Sequence, residues 1–213
     1  MRPVNPQFYY AFAFDDDGDS SDGPGAIISR AFSPNDIVGG SFTVLVIYHA
    51  GQFTAYRRTG RDATETLNRA TRAFIADPSG RLPFVQGSTI SFALNFDATL
   101  DDGTTRLFQG VGGALPDLLQ FNFVTTDEQR RDPNNELSKT FDALGNRLSS
   151  VFATINIRTT QTFNNTGNGA TNAGVNEPTG DVFPGAGSNN LTPETLDALD
   201  ISNFTIGVQR NNQ

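Results

Sequence analysis

Between Thr89 and Phe96 the side chains alternate without a break. Ile90, Phe92, Leu94 and Phe96 fall on one face; Thr89, Ser91, Ala93 and Asn95 fall on the other. A period of two belongs to an extended strand with one buried face, and a helix does not satisfy it. The same period recurs along the chain. Phe8, Tyr10, Phe12 and Phe14 alternate with Tyr9, Ala11 and Ala13. In Ser41 to His49, one face carries Phe42, Val44, Val46 and Tyr48, and the other carries Leu45 and Ile47. Apolar on both faces, that strand is expected to be central. Ala50-Gly51 then predicts a hairpin into Gln52 to Tyr56. Leu118 to Thr125, Val151 to Ile157 and Phe204 to Val208 complete the set of predicted strands. The 18 Phe residues supply the bulk of a β core in a chain with no Trp, no Cys and one Met, since Phe favours strands and buries a large area.

Helical signals are fewer. Ala63, Leu67, Ala70 and Phe74 place a short amphipathic helix over Asp62 to Ile75, against the resistance of its threonines. Thr192-Pro193-Glu194-Thr195-Leu196 reads as an N-cap, a proline at the first helical position and one or two turns. Seven or more strands with no strand–helix–strand alternation predict an all-β chain. The expected architecture is one antiparallel β-sandwich across residues 1–213, jelly-roll or Ig-like, with one or two short helices and long Asn/Gly-rich loops. Residues 1–7, with two prolines, are expected to form an extended arm. Residues 161–190, rich in Asn, Gly, Thr and Pro, are expected to form a long irregular loop.

The net charge of -8 repels a phosphate backbone, so nucleic acid is not an expected partner. The absence of cysteine excludes disulfides and thiolate metal sites. No apolar run is long enough for a membrane-spanning helix. The stretch Phe8 to Phe14 is too short for the core of a signal peptide. Either the protein stays inside the cell or the numbered chain begins after a processed leader, and the Asn-, Thr-, Gly- and Asp-rich, Lys-poor composition favours an extracellular or cell-surface setting.

The segment richest in potential chemistry follows the first strand: Phe14-Asp15-Asp16-Asp17-Gly18-Asp19-Ser20-Ser21-Asp22-Gly23-Pro24. Calcium takes six to eight oxygen ligands from a turn that folds carboxylates inward. Asp15, Asp17 and Asp19 share one side of an extended chain, Gly18 and Gly23 permit tight turns, and Asp22 closes the loop. These four aspartates are the candidate ligands, with calcium the expected ion. Helices do not flank the loop and no Glu sits at its twelfth position, so it is no EF-hand. A solvated acidic loop without metal is the competing reading.

An aromatic strand with Tyr9-Tyr10 and Phe14, followed by Asp15, Asp17, Gly18, Asp19, Gly23 and Pro24, resembles the opening of bacterial surface lipoprotein-type β-sandwich domains. Those domains are similar to the carbohydrate-binding-module-9 and DOMON-like group. A weaker echo lies in Leu199-Asp200-Ile201 and Phe204-Thr205-Ile206. The resemblance implies a secreted sandwich with a structural cation. Sugar-binding members of that group clamp their ligand between tryptophans, which this chain lacks.

Other motifs carry less. His49 is the single histidine and ends an apolar strand, which favours a structural role over a zinc site. Gly110-Val111-Gly112-Gly113 does not fit a phosphate-binding spacing. Asp101-Asp102-Gly103 reads as a turn, with a second cation loop at Asp101 and Asp102 the alternative. Asp127-Glu128, Arg130-Arg131 and Asp132 read as a solvated charged face. With no catalytic constellation, the expected function is that of a non-enzymatic extracellular or surface structural protein. It would self-associate as a filament, sheath or surface-layer subunit, making a homo-oligomer or polymer through its N-terminal arm and the 161–190 loop. A glycan- or ligand-binding module is the alternative, and a carboxylate-dependent hydrolase is the third reading.

Overall fold

The computed structural model describes residues 2–26, 37–60, 64–76, 82–127, 140–145, 152–166, 170–184 and 192–209. Its architecture is all-β and sandwich-like, with antiparallel sheets and one short helix. The strands of the main sheet are β1 (Tyr9–Asp15), β4 (Val44–His49), β5 (Gln52–Thr59), β6 (Thr66–Arg69), β9 (Leu118–Thr126), β10 (Phe141–Ala143) and β11 (Ala153–Asn156). Their order is β10-β9-β1-β4-β5-β6, and β11 also pairs with β9, beside its first half. A smaller sheet joins β12 (Gln161–Asn164), β13 (Thr171–Asn172) and β14 (Thr205–Val208) in the order β13-β12-β14. Within it, β12 and β13 run parallel. Two two-stranded ribbons pair β2 (Pro24–Ala26) with β3 (Val38–Gly40), and β7 (Phe84–Gln86) with β8 (Thr89–Ser91).

The alternation read from β1 separates two cores. Phe12 and Phe14 face a large cluster with Val44, Val46, Leu119, Phe121, Phe123 and Ile155, which the smaller sheet closes with Phe163, Ile206 and Val208. Tyr9, Ala11 and Ala13 face a second cluster with Leu45, Val124 and Ala143, covered by Ile37, Val38 and Phe42. Both faces of the main sheet are therefore covered, as the doubly apolar β4 requires. Edge-to-face phenylalanines knit the large cluster: Phe12 meets Phe92 and Phe123 at centroid distances of 4.8 and 5.0 Å. Such geometry suits the ring quadrupole.

The hairpin at Ala50-Gly51 is present, with His49 paired to Gln52. Both loop residues have positive φ, 50° and 78°, as a two-residue turn matched to the strand twist demands. Phe42 departs from its expected face. The ladder starts at Val44, so Phe42 escapes the alternation and packs in the second cluster, with the Arg58 guanidinium 4.2 Å above its ring.

Three expectations need correction. The stretch Asp62–Ile75 is not an amphipathic helix. Residues 61–63 lie outside the described residues, Thr66–Arg69 form strand β6 on the edge of β5, and Phe74 bridges Leu94. An available sheet edge outweighs the weak propensity of a threonine-rich helix. The alternation from Thr89 to Phe96 predicts burial but not one strand: β8 stops at Ser91, and Phe92, Leu94 and Phe96 pack separately on the large cluster. The segment 161–190 is not irregular at its start, because Gln161–Asn164 pair antiparallel with β14 and Phe163 is buried. Residues 167–169 and 185–190 lie outside the described residues, as does Val151 of the predicted strand at 151–157.

The helix α1 (Pro193–Leu199) starts where the sequence predicts. The Thr192 side chain caps the Thr195 N–H, and Pro193 takes the first turn. Its C-terminal end docks on a cross-strand pair of the main sheet. Tyr10 and Thr125 face each other in the ladder; the Tyr10 hydroxyl donates to Ala198 O at 3.0 Å and the Thr125 hydroxyl donates to Leu199 O. The arm does not reach away from its own chain in the described residues 2–7. Val4 N donates to Gly87 O, Asn5 N donates to the Tyr10 hydroxyl, Ala50 N donates to Pro6 O, and Arg2 pairs with Glu194 and Asp197. No described helix is long and apolar enough to cross a membrane.

Candidate metal centre

Strand β1 ends at Asp15, opposite Gln120 of β9, and the chain leaves the sheet through a staircase of aspartate turns. Asp15 Oδ1 accepts from Asp17 N at 3.3 Å, Asp17 Oδ1 accepts from Asp19 N at 2.7 Å, and Asp19 Oδ1 accepts from Ser21 N at 2.8 Å. An aspartate that bonds the amide two residues on makes its own local turn. Aspartate at every second position therefore repeats one device three times. Gly18, at φ 83°, supplies the left-handed step between them. Gln120 fastens the outer end by donating to Asp19 O.

This path folds three carboxylates together. Oxygens of Asp15, Asp17 and Asp22 all lie within 4.8 Å of one another. Ligand oxygens around a calcium ion at about 2.3–2.6 Å span at most about 5 Å, so the three fit one coordination sphere. Asp19 is not among them. Its carboxylate is exposed and turned to Ser21, whose N–H and hydroxyl both donate to Oδ1. Those bonds hold the Asp19 carboxyl below its ordinary range. Asp19 thus serves the turn, and of the four predicted ligands Asp15, Asp17 and Asp22 converge. Asp22 Oδ2 also accepts from the Ser41 hydroxyl at 2.5 Å, which ties the loop to the start of the ladder.

The sharpest feature is Asp15. Its residue is 1% exposed, and its Oδ2 has no hydrogen-bond partner. Burial, and then the charges of Asp17, Asp22 and Asp16, push its carboxyl up to about 6. A buried carboxylate oxygen without a donor is costly unless a proton or a cation neutralises it. Oxygen-only ligands select a hard cation.

Asp16, between two of these residues, points elsewhere. It is 0% exposed, meets Arg57 Nη1 at 3.1 Å, and accepts from Gln109 N at 2.7 Å and Gly110 N at 3.1 Å. The Gly110 end of the Gly110 to Gly113 run is therefore anchored to the acidic loop. Gly110 has φ 62°, and a Cβ there would lie 1.8 Å from Ala114 O, so the loop requires glycine. The single histidine, His49, stacks on Tyr9 at 3.8 Å, and its Nδ1 lies 3.2 Å from Phe8 O. Asp101 and Asp102 form a turn, as expected. Asp102 accepts from Thr104 N, Thr105 N and the Thr105 hydroxyl, and Asp101 accepts from Thr71. The charged run at 128–132 lies outside the described residues.

Sequence reasoning missed a second acidic group. Oxygens of Asp142, Asp181 and Asp200 also lie within 4.8 Å of one another. No local motif announces them, because they come from β10, the segment after β13 and the end of α1.

No protein-family model matches this chain, and neither a curated protein nor a solved structure matches it.

Proposed function

We propose that this chain is a non-enzymatic, calcium-clamped structural module of the extracellular space or cell surface that builds assemblies with copies of itself. The observation that carries the reading is the buried, unpartnered Oδ2 of Asp15, a residue whose carboxylate converges with those of Asp17 and Asp22. A cation there neutralises three carboxylates and fixes the exit of a central strand of the main sheet. Calcium suits the irregular acid set better than magnesium, which demands near-ideal octahedral geometry. Extracellular modules that bind calcium do so with Kd of about 10⁻⁴–10⁻³ M, which is the affinity this reading expects of the site in an extracellular setting. The resemblance of the β1 loop to surface lipoprotein-type sandwiches supports the same setting.

For self-association, the support lies at a sheet edge rather than in the arm. Strand β6 ends the order of the main sheet, and its residues are exposed or half-buried. An edge strand offers backbone groups to a strand from another copy. The test combines two measurements on the full chain. Calcium is expected to raise Tm relative to chelator, and sedimentation in calcium is expected to show oligomers that grow with concentration. Equal Tm values sink the clamp; a monomer at every concentration sinks the assembly.

One observation favours a ligand-binding module as a second reading. Tyr48, Phe53, Phe74 and Phe84, with Gln52 and Pro83, line an open groove of about 540 Å³. Aromatic faces beside an amide are the chemistry that holds a sugar ring. A glycan array with no hits removes this reading.

A further inference from the structure

The second acidic group gathers chain segments that are far apart in sequence. Asp142 sits on β10 opposite Thr125, and its two oxygens accept from Ala143 N at 2.9 Å and Ile201 N at 2.7 Å. Asp200, the C-cap of α1, accepts from Gly180 N at 2.7 Å. That bond brings the turn at Gly180, and Asp181 after it, to the end of the helix. Oxygens of Asp142, Asp181 and Asp200 then lie within 4.8 Å of one another.

A fourth carboxylate supplies the independent sign of a ligand. Glu177 is 8% exposed; its Oε2 accepts from Gly145 N at 2.8 Å, while its Oε1 is buried with no hydrogen-bond partner. The charges of Asp142, Asp181 and Asp200 all act on it. The acids of the region bear on one another: Asp181 and Asp200 act on Asp142, and all three act on Glu177, so their charges add. Backbone amides alone do not offset that charge. A proton or a hard cation must. Asp142 is wholly enclosed, which suits a bare ion and not a bond within a polymeric substrate.

We propose that Asp142, Asp181 and Asp200, with the Glu177 carboxyl beside them, form a second calcium site, separate from the one at Asp15, that fastens the C-terminal segment to the edge of the main sheet. The site links β10, the Gly180 turn and the end of α1, so its ion acts as a staple between segments distant in sequence. It does not depend on the clamp at Asp15.

The test is calcium binding by equilibrium dialysis on the full chain after chelation. It uses wild type, Asp15→Asn/Asp22→Asn, Asp181→Asn/Asp200→Asn, and the variant carrying all four changes. The expected calcium-to-chain ratio is two for wild type, one for each double variant, and none for the combined variant. Reading the 181/200 pair in the 15/22 background separates failure of this site from failure of the first. Glu177→Gln covers the case of misfolding. Without calcium it is expected to melt no lower than wild type, because a buried charge is gone, yet to lose part of the calcium-induced rise in Tm. The site is overturned if Asp181→Asn/Asp200→Asn binds as much calcium as its parent. It is equally overturned if Glu177→Gln keeps the full calcium-induced rise, which is the behaviour of carboxyls that share protons only.

Discussion

The Arg57 guanidinium of β5 and the carboxylate of Asp16, the residue after β1, meet at 3.1 Å, with the Asp16 side chain fully enclosed and that of Arg57 12% exposed. Arg57 Nη1 also donates to Leu107 O at 2.7 Å, and Asp16 gathers the Gln109 and Gly110 amides. One ion pair thus pins the 107–110 segment over the exit of β1. Removing one partner of a buried pair costs about 3–5 kcal/mol, because the other charge stays buried. Asp16→Ala is expected to fall in that range by urea denaturation. A loss below about 1 kcal/mol, the worth of an exposed pair, would mean that solvent reaches the site.

The same loop makes a prediction of opposite sign one residue earlier. Asp15→Asn keeps an oxygen for Asp17 N–H and removes a buried charge. In chelator the variant is expected to be at least as stable as wild type. In calcium it is expected to be less stable, since an ion at 100 times its Kd adds about 2.7 kcal/mol that the variant forgoes. Thermal melts of both proteins, with and without calcium, check the crossing; parallel shifts would assign Asp15 no part in binding.

The β4–β5 turn isolates backbone strain from packing. Gly51 has φ 78°, and a Cβ added there would meet nothing within 4 Å, so Gly51→Ala adds only left-handed strain. The expected loss is about 1 kcal/mol. Ala50, at φ 50°, already carries such strain. Ala50→Asn, which restores the favoured Asn-Gly pair, is expected to raise stability by roughly 0.5–1 kcal/mol. Urea midpoints measure both, and effects of the same sign would refute the turn geometry.

Acid titration reads the 101–105 turn. Hydrogen bonds from the Thr105 hydroxyl, Thr104 N and Thr105 N hold the Asp102 carboxyl down at about 2. A depressed carboxyl binds fewer protons folded than unfolded, so its contribution is present above the unfolded value of about 4 and fades as pH falls toward 2. Wild type is expected to lose stability over that interval more steeply than Asp102→Asn. Identical slopes would show that the bonds are absent in solution.

What the sequence made legible follows from local physics. Period-two alternation located β1, β4, β9, β11 and β14 and the two faces of β1, because pleating forces neighbours to opposite sides. The aspartate spacing located the candidate metal loop, because each Asp folds its own turn. Spacing could not rank the four acids. Asp19 has the same local pattern as Asp15, but only Asp15 lies at the end of a buried strand. The helix expected at Asp62–Ile75 failed for a related reason: whether β5 offers a free edge to Thr66–Arg69 is not a local property.

The chain by itself determined an all-β fold, a Phe-built core, the Ala50-Gly51 hairpin, the capped helix at Thr192 and an acidic exit from the first strand. Tertiary structure alone decided that Asp16 turns to Arg57, that the arm lies on its own chain, and that Asp142, Asp181 and Asp200 meet. Turns, caps and alternation are set within a few residues, where sequence spacing is spatial spacing. Burial and charge neutralisation depend on which distant segments the sheet order brings together, and no window of sequence contains that order.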